Sequence, residues 1–173
     1  VVVINKIDSA SADDLRVVSE SIAELNPRAE VVTARSDLAL DGPTIDGKRV
    51  VVVEDGPTLT HGGMTYGAGI VAARRFGAAA CVDPEPVAVG SIRTVLERYP
   101  DLEPLVPAMG YGDEQMAELK ETLERVDADV VLAATPIDLG SLLELDKPVT
   151  RVRYELAQVD GRPLAEILEG IGG

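Results

Sequence analysis

Short valine-rich apolar runs recur along the chain, each followed by a polar loop and then by a stretch whose apolar residues fall at helical spacing. The runs occupy 1–4, 30–34, 49–53, 78–82, 104–108, 128–133 and 149–157. Most are apolar throughout, a pattern that suits strands covered on both faces in a parallel sheet. The last differs: Thr150-Arg151-Val152-Arg153-Tyr154-Glu155-Leu156 alternates, which predicts an edge strand with one wet face. Ser11 can cap a helix over 12–25, with Leu15, Val18, Ile22 and Leu25 on one side and Pro27 beyond its end. Further helices are expected at 68–75, 89–98, 113–126 and 164–171. This alternation predicts one doubly wound α/β domain over 1–173, mostly parallel, with helices on both faces. The turn 41–47, Asp-Gly-Pro-Thr-Ile-Asp-Gly, is its weakest joint and the place for a subdomain boundary near 41–48.

Composition narrows the partners. With 46% hydrophobic and 27% charged residues, the chain has the balance of a globular protein. Thirty acidic against sixteen basic residues give a net charge of −14, a field that repels nucleic acid and anionic membrane. A phosphate-bearing ligand must therefore be held locally, by backbone amides and a few arginines. No apolar run approaches the roughly 20 residues of a membrane span, and no leader pattern is present, so the cytoplasm is the expected compartment. The lone Cys81 lies in an apolar run and reads as an inert, buried thiol. Because Val1 opens directly into an apolar run, the chain is expected to be part of a longer protein.

In parallel α/β sheets ligands gather at the carboxyl ends of strands, so the residues following each run carry the chemistry. Asn5-Lys6-Ile7-Asp8 follows the first run. There Asp8 can accept from the N1 and N2 groups of guanine, Asn5 can bond its N7 edge and tie neighbouring loops, and the Lys6 stem can lie over the base. A polar strand-to-helix loop capped by Asp8 or Ser9 accounts for the same residues. After the next run, Thr33-Ala34-Arg35-Ser36 resembles the Ser/Thr-Ala loop that completes a guanine pocket in P-loop GTPases, with an amide at Ala34 or Arg35 on the base oxygen. No Gly-x-x-x-x-Gly-Lys-Ser/Thr loop occurs in the chain, so a triphosphate cradle is expected upstream of Val1.

The densest stretch is Glu54 to Gly69, Glu-Asp-Gly-Pro-Thr-Leu-Thr-His-Gly-Gly-Met-Thr-Tyr-Gly-Ala-Gly. Its glycines, Gly62 and Gly63 among them, let the backbone approach a ligand and turn amides toward an anion, and the next helix adds its positive end. Thr58 and Thr60 offer hydroxyls to a substrate. His61, the only histidine, and Asp55 are candidate acid–base residues, and Glu54 with Asp55 are candidate magnesium ligands. Arg151 and Arg153, on one face of the last run, are candidate phosphate partners, as are Arg74 and Arg75. Thr135 and Asp138 end another run and either line the same cleft or form a capped proline turn. Met109-Gly110-Tyr111-Gly112-Asp113 is explained as well by a strand-to-helix turn.

The run from Val53 to Gly69, with Ala133–Leu139 and Pro148–Leu156, resembles the cyclic 2,3-diphosphoglycerate synthetases and related predicted GTPases across nearly the whole chain. The resemblance implies a parent more than twice as long, using ATP or GTP with Mg2+ to close 2,3-diphosphoglycerate into a cyclic pyrophosphate. It implies that this stretch is the nucleotide- and phosphosubstrate-binding part, inactive alone. Asn5-Lys6-Ile7-Asp8 prefers guanine whereas the family's named reaction uses ATP, so the nucleotide stays open. A GTPase-like regulatory or metal-trafficking switch and a plain binding module are the other readings. A homodimer is compatible with the residues.

Overall fold

The structure, a computed structural model, describes residues 1–8, 10–56 and 65–171, the last without its side chain. In chain order the elements are β1 (Val2–Ile4), α1 (Ala12–Leu25), β2 (Val31–Asp41), β3 (Arg49–Asp55), α2 (Ala68–Arg75), β4 (Ala80–Cys81), α3 (Gly90–Arg98), β5 (Val106–Ala108), α4 (Asp113–Arg125), β6 (Val130–Ala134), α5 (Leu139–Leu142), β7 (Val149–Asp160) and α6 (Leu164–Ile171). A 3-10 turn at Glu85–Val87 precedes α3. The helices expected at 12–25, 68–75 and 164–171 form over those residues, and the other two differ by one residue. The 3-10 turn and α5 are additional elements, too short for apolar periodicity to reveal. The chain forms an α/β structure of two compact units, Val1–Asp37 with Tyr154–Gly173, and Leu38–Arg153.

In the first unit β1 pairs parallel with β2, Val2 opposite Val31 and Ile4 opposite Thr33. Ser11 caps α1, its hydroxyl accepting the Asp14 amide at 3.1 Å. Contrary to what its apolar spacing suggests, α1 buries none of its residues completely, and Val17, Val18 and Leu25 are exposed. Arg162, just before α6, grips Glu30 through two hydrogen bonds of 2.9 and 2.8 Å, fixing the start of β2.

In the second unit β3 is central and flanked on both sides. β6 pairs along one side from Val50↔Val130 to Glu54↔Ala134. β4 takes the first half of the other side, Arg49↔Ala80, and β5 the second half, Val53↔Val106. β7 pairs with β6, Val131↔Val149 to Ala133↔Arg151, and all these pairings are parallel. Alternate residues of β3 go to opposite faces, as a two-sided core requires. Val50 and Val52 pack with Ile70, Ala72 and Ala73 of α2, whereas Val51 and Val53 pack with Ile92 and Leu96 of α3 and Leu119 and Leu123 of α4. The doubly covered parallel sheet read from the valine runs is therefore present in this unit.

β7 is not the edge strand that its alternation predicts. On the side away from β6 it runs beside the end of β2 and the turn that follows. There the Thr150 hydroxyl donates to the Pro43 carbonyl at 2.6 Å, and Arg153 Nε donates to Asp41 at 2.7 Å. Alternation marks a strand with one wet face, and a strand can have one wet face without lying at an edge. Gly42 makes this approach possible. At φ 137°, a Cβ there would stand 2.8 Å from the Val149 carbonyl oxygen and 2.9 Å from Thr150 Cα. Gly42→Ala is expected to lower stability by about 2–4 kcal/mol, combining backbone strain with an unrelieved backbone clash. A urea unfolding curve for the variant reads this directly, and a change under about 0.5 kcal/mol would show that the turn relaxes.

No helix of the described residues is long and apolar enough to cross a membrane.

Candidate functional site

The carboxyl ends of β3, β5 and β6 lie side by side, with Asp55 opposite Ala108 and Glu54 opposite both Pro107 and Ala134. The residues that follow these strands therefore converge. Asp55, Tyr111 and Thr135 stand together, while Arg151, aligned with Ala133, brings β7 to the same end.

Glu54 faces into the unit. Only 4% exposed, it accepts the Gly69 amide at 2.7 Å and the Ile70 amide at 3.2 Å on Oε1, and the Gly67 amide also reaches it. It thus satisfies the first amides of α2, which the N-cap Gly67 has no side chain to do. A Cβ at Gly67 would come within 2.5 Å of Glu54 Oε2, and one at Gly69 within 3.0 Å of Oε1, so both glycines leave room for the carboxyl. Burial pushes this carboxyl up to about 7, with the three amides working against it and the Asp55 charge reinforcing it. The positive end of α2, expected from sequence to face an anionic ligand, is thus occupied by the chain's own carboxyl group.

Around it, Thr135 is nearly buried and donates to the Ile137 carbonyl at 3.0 Å. Asp138 caps α5 by accepting the Ser141 amide at 3.2 Å and takes Arg151 Nη1 at 3.0 Å. Burial works to raise the Asp138 carboxyl, but the Ser141 hydrogen bonds, the Arg151 charge and the Gly140 amide hold it below the ordinary range. Burial first, and then the Asp55 charge, push the Tyr111 phenol above its usual value. Arg153 is paired with Asp41. Arg74 is paired with Glu103 and lies over the Tyr66 ring, and Arg75 lies over Phe76. Cys81 is half-buried, with burial raising its thiol, as an inert role requires.

The first unit holds the other candidates. Asn5 Nδ2 donates to Ser36 Oγ at 2.8 Å, and its Oδ1 accepts the Lys6 amide at 2.8 Å. Lys6 adopts φ 59°, a left-handed turn that carries the chain off β1, and its ammonium stands 6.0 Å above the Tyr154 ring. Asp8 is exposed. Thr33 and Ala34 do not form a loop: both lie inside β2, where Ala34 is buried and its carbonyl accepts the Ile7 amide at 3.2 Å. The strand continues because Leu38 and Leu40, at period two, have apolar neighbours to pack on in the second unit's core. Asn5 nonetheless ties the two motifs together, as the sequence suggests.

Of the expected site residues, Thr58, Thr60, His61, Gly62 and Gly63 lie outside the described residues. Within the second unit Glu54, Asp55 and Arg151 come to one strand end, joined by Thr135 and Asp138, while Arg153 lies farther along β7. Among the described residues no group of three or more His, Cys, Asp or Glu side chains is placed to hold a metal ion. Sequence reasoning missed the capping by Glu54 and the place of Tyr111. A glycine-started helix with no capping side chain of its own was the signal for the first. The second had only an aromatic residue between two glycines after a strand.

Fold and site together define a parallel α/β unit whose polar residues collect at the carboxyl ends of its strands. No family model matches the chain. Over 170 residues, 98% of this chain, it is 55% identical to the protein named arginine synthetase ArcE of Thermococcus kodakarensis, and it spans 38% of that protein's length.

Proposed function

We propose that this chain is the nucleotide- and substrate-binding part of a ligase-type synthetase that forms arginine at the expense of an ATP-type nucleotide. The observation that carries the reading is the 55% identity to arginine synthetase across 98% of the chain. The chemistry of the strand ends supports it. Glu54 serves the amides of α2 and Asp138 pairs with Arg151, so Asp55 is the carboxylate that ends the central strand there. A guanidinium presents a planar fork of donors that carboxylates match two at a time. 2,3-Diphosphoglycerate would bring negative charge beside this carboxylate. Two of the arginines best placed for it, Arg151 and Arg153, are each paired with a carboxylate of the same unit. A cationic amino acid is the better match, and this reading replaces cyclic pyrophosphate formation as the preferred one.

Nucleotide hydrolysis would drive the replacement of oxygen by nitrogen on a carbonyl-level carbon, a change that is unfavourable in water. Magnesium would enter on the nucleotide phosphates. Asn5, Lys6 and Asp8 would hold the base. Asp8→Ala is expected to weaken guanine nucleotides about 100-fold and adenine nucleotides little, as paired hydrogen bonds to a charged group demand. Titration with both nucleotides measures this, and equal losses would remove the base-reading role.

Calorimetric titration of the protein at its full encoded length, with magnesium nucleotide present, tests the main reading. Saturable binding of arginine with no response to 2,3-diphosphoglycerate is expected. The opposite pattern would restore the cyclising synthetase. Nucleotide binding with neither small ligand would favour the GTPase-like switch.

A further inference from the structure

We propose that the groove between β1 and α1 is a docking surface for the remainder of the longer protein, which adds a strand along the free side of β1 and rests apolar side chains on α1. All of this surface lies in the first unit, whatever ligand the second unit holds. The groove, about 340 Å³ in volume, has seven lining residues, of which Val2, Val17, Val18, Ile22 and Leu25 are apolar. None of the seven is charged, in a chain whose net charge is −14. On α1, Leu25 is 84% and Val18 42% exposed, although Leu15, Val18, Ile22 and Leu25 recur at the spacing of a face that packs.

β1 also lacks the features of an open edge. Among the described residues it pairs with β2 alone. Val2 donates its amide to the Glu30 carbonyl at 2.9 Å, so by the strand's period of two the amide and carbonyl of Val3 face the free side. Strands that remain at an edge are blunted by charge or proline, because their unpaired groups recruit other strands. Val2-Val3-Ile4 has neither. Val1 and Val3 are exposed on the face opposite Val2 and Ile4, so β1 offers apolar side chains in both directions. The chain spans 38% of the length of its relative, and a protein of that size has further segments to supply the cover. A second copy fits less well. Two-fold pairing would set one concave groove against another and leave the space between them unfilled, which packed interfaces do not tolerate. A segment of the same polypeptide can enter the groove, and it does so at high effective concentration.

The experiment uses the protein at full encoded length. Amide hydrogen exchange of the wild type should show the Val3 amide strongly protected, as a paired strand requires. Leu25→Lys and Val18→Lys should each lower the melting temperature by about 5 °C or more, because a covered charge loses its hydration. At an open helix end Leu25→Lys would be neutral or slightly stabilising, since a cation there complements the helix dipole. Exchange of the Val3 amide at the rate of an unpaired group, with both variants melting like wild type, would overturn the proposal. Protection that disappears on dilution, together with dissociation of an oligomer, would also overturn it by assigning the cover to a second copy.

Discussion

Glu54→Gln is expected to stabilise the protein at pH 8 and to have little effect at pH 5. Burial holds the Glu54 carboxyl at about 7 in the folded chain, against an ordinary 4.5. Between those values the folded protein keeps a proton that the unfolded chain releases. The stability from this group is therefore complete below pH 4.5 and is lost as the pH rises through 7. A gap of this size corresponds to about 3 kcal/mol. At pH 8 the wild-type site holds a buried charge, compensated among the described residues by the amides of Gly67, Gly69 and Ile70. Glutamine keeps an oxygen acceptor for those amides without the charge. Urea unfolding at pH 5 and pH 8 should show the variant more stable by about 1–3 kcal/mol at the higher pH, with the two proteins similar at the lower. A variant equally destabilised at both pH values would mean that the second carboxyl oxygen matters more than the charge. The sign is opposite to that of a salt-bridged carboxylate, whose contribution fades on acidification.

Asp55→Asn carries the largest expected functional effect. Asp55 ends β3 beside Ala108 and next to Thr135, at the point where β5 and β6 also end. If the ligand is a cationic amino acid, this carboxylate provides both charge and a two-oxygen match to its fork of donors. Removing one partner of such a desolvated charge pair costs about 2–5 kcal/mol. Arginine affinity should therefore fall at least about 30-fold, with nucleotide affinity nearly unchanged. Calorimetric titration measures both affinities. A fall in nucleotide affinity matched by none for arginine would move Asp55 into the magnesium site and leave the amino acid to be bound elsewhere.

These expectations draw on two kinds of information. The valine runs, the helical spacing between them and the breaks at proline and glycine are local properties. They were legible because secondary-structure period and two-sided burial are written into neighbouring residues. So β3, β6 and helices α1, α2 and α6 lie where the pattern puts them. The polar residues after each run were also identifiable, since the carboxyl ends of parallel strands collect ligands whatever the order of the strands.

Strand order itself was not legible. β7 alternates like an edge strand, yet it lies beside β6 with the turn after β2 on its other side, because pairing depends on contacts distant in sequence. The same holds for individual side chains. Glu54 and Asp55 are neighbours in sequence and looked alike, but the pleat turns one into the amides of α2 and leaves the other at the strand end. Arg151 and Arg153 offered no sign in the sequence of their partners, and the fold pairs them with Asp138 and Asp41. From the sequence alone came the α/β class and the polar residues that follow each strand. The tertiary structure decided which charges meet, because a carboxyl group's partners and burial are set by strands and helices distant from it along the chain.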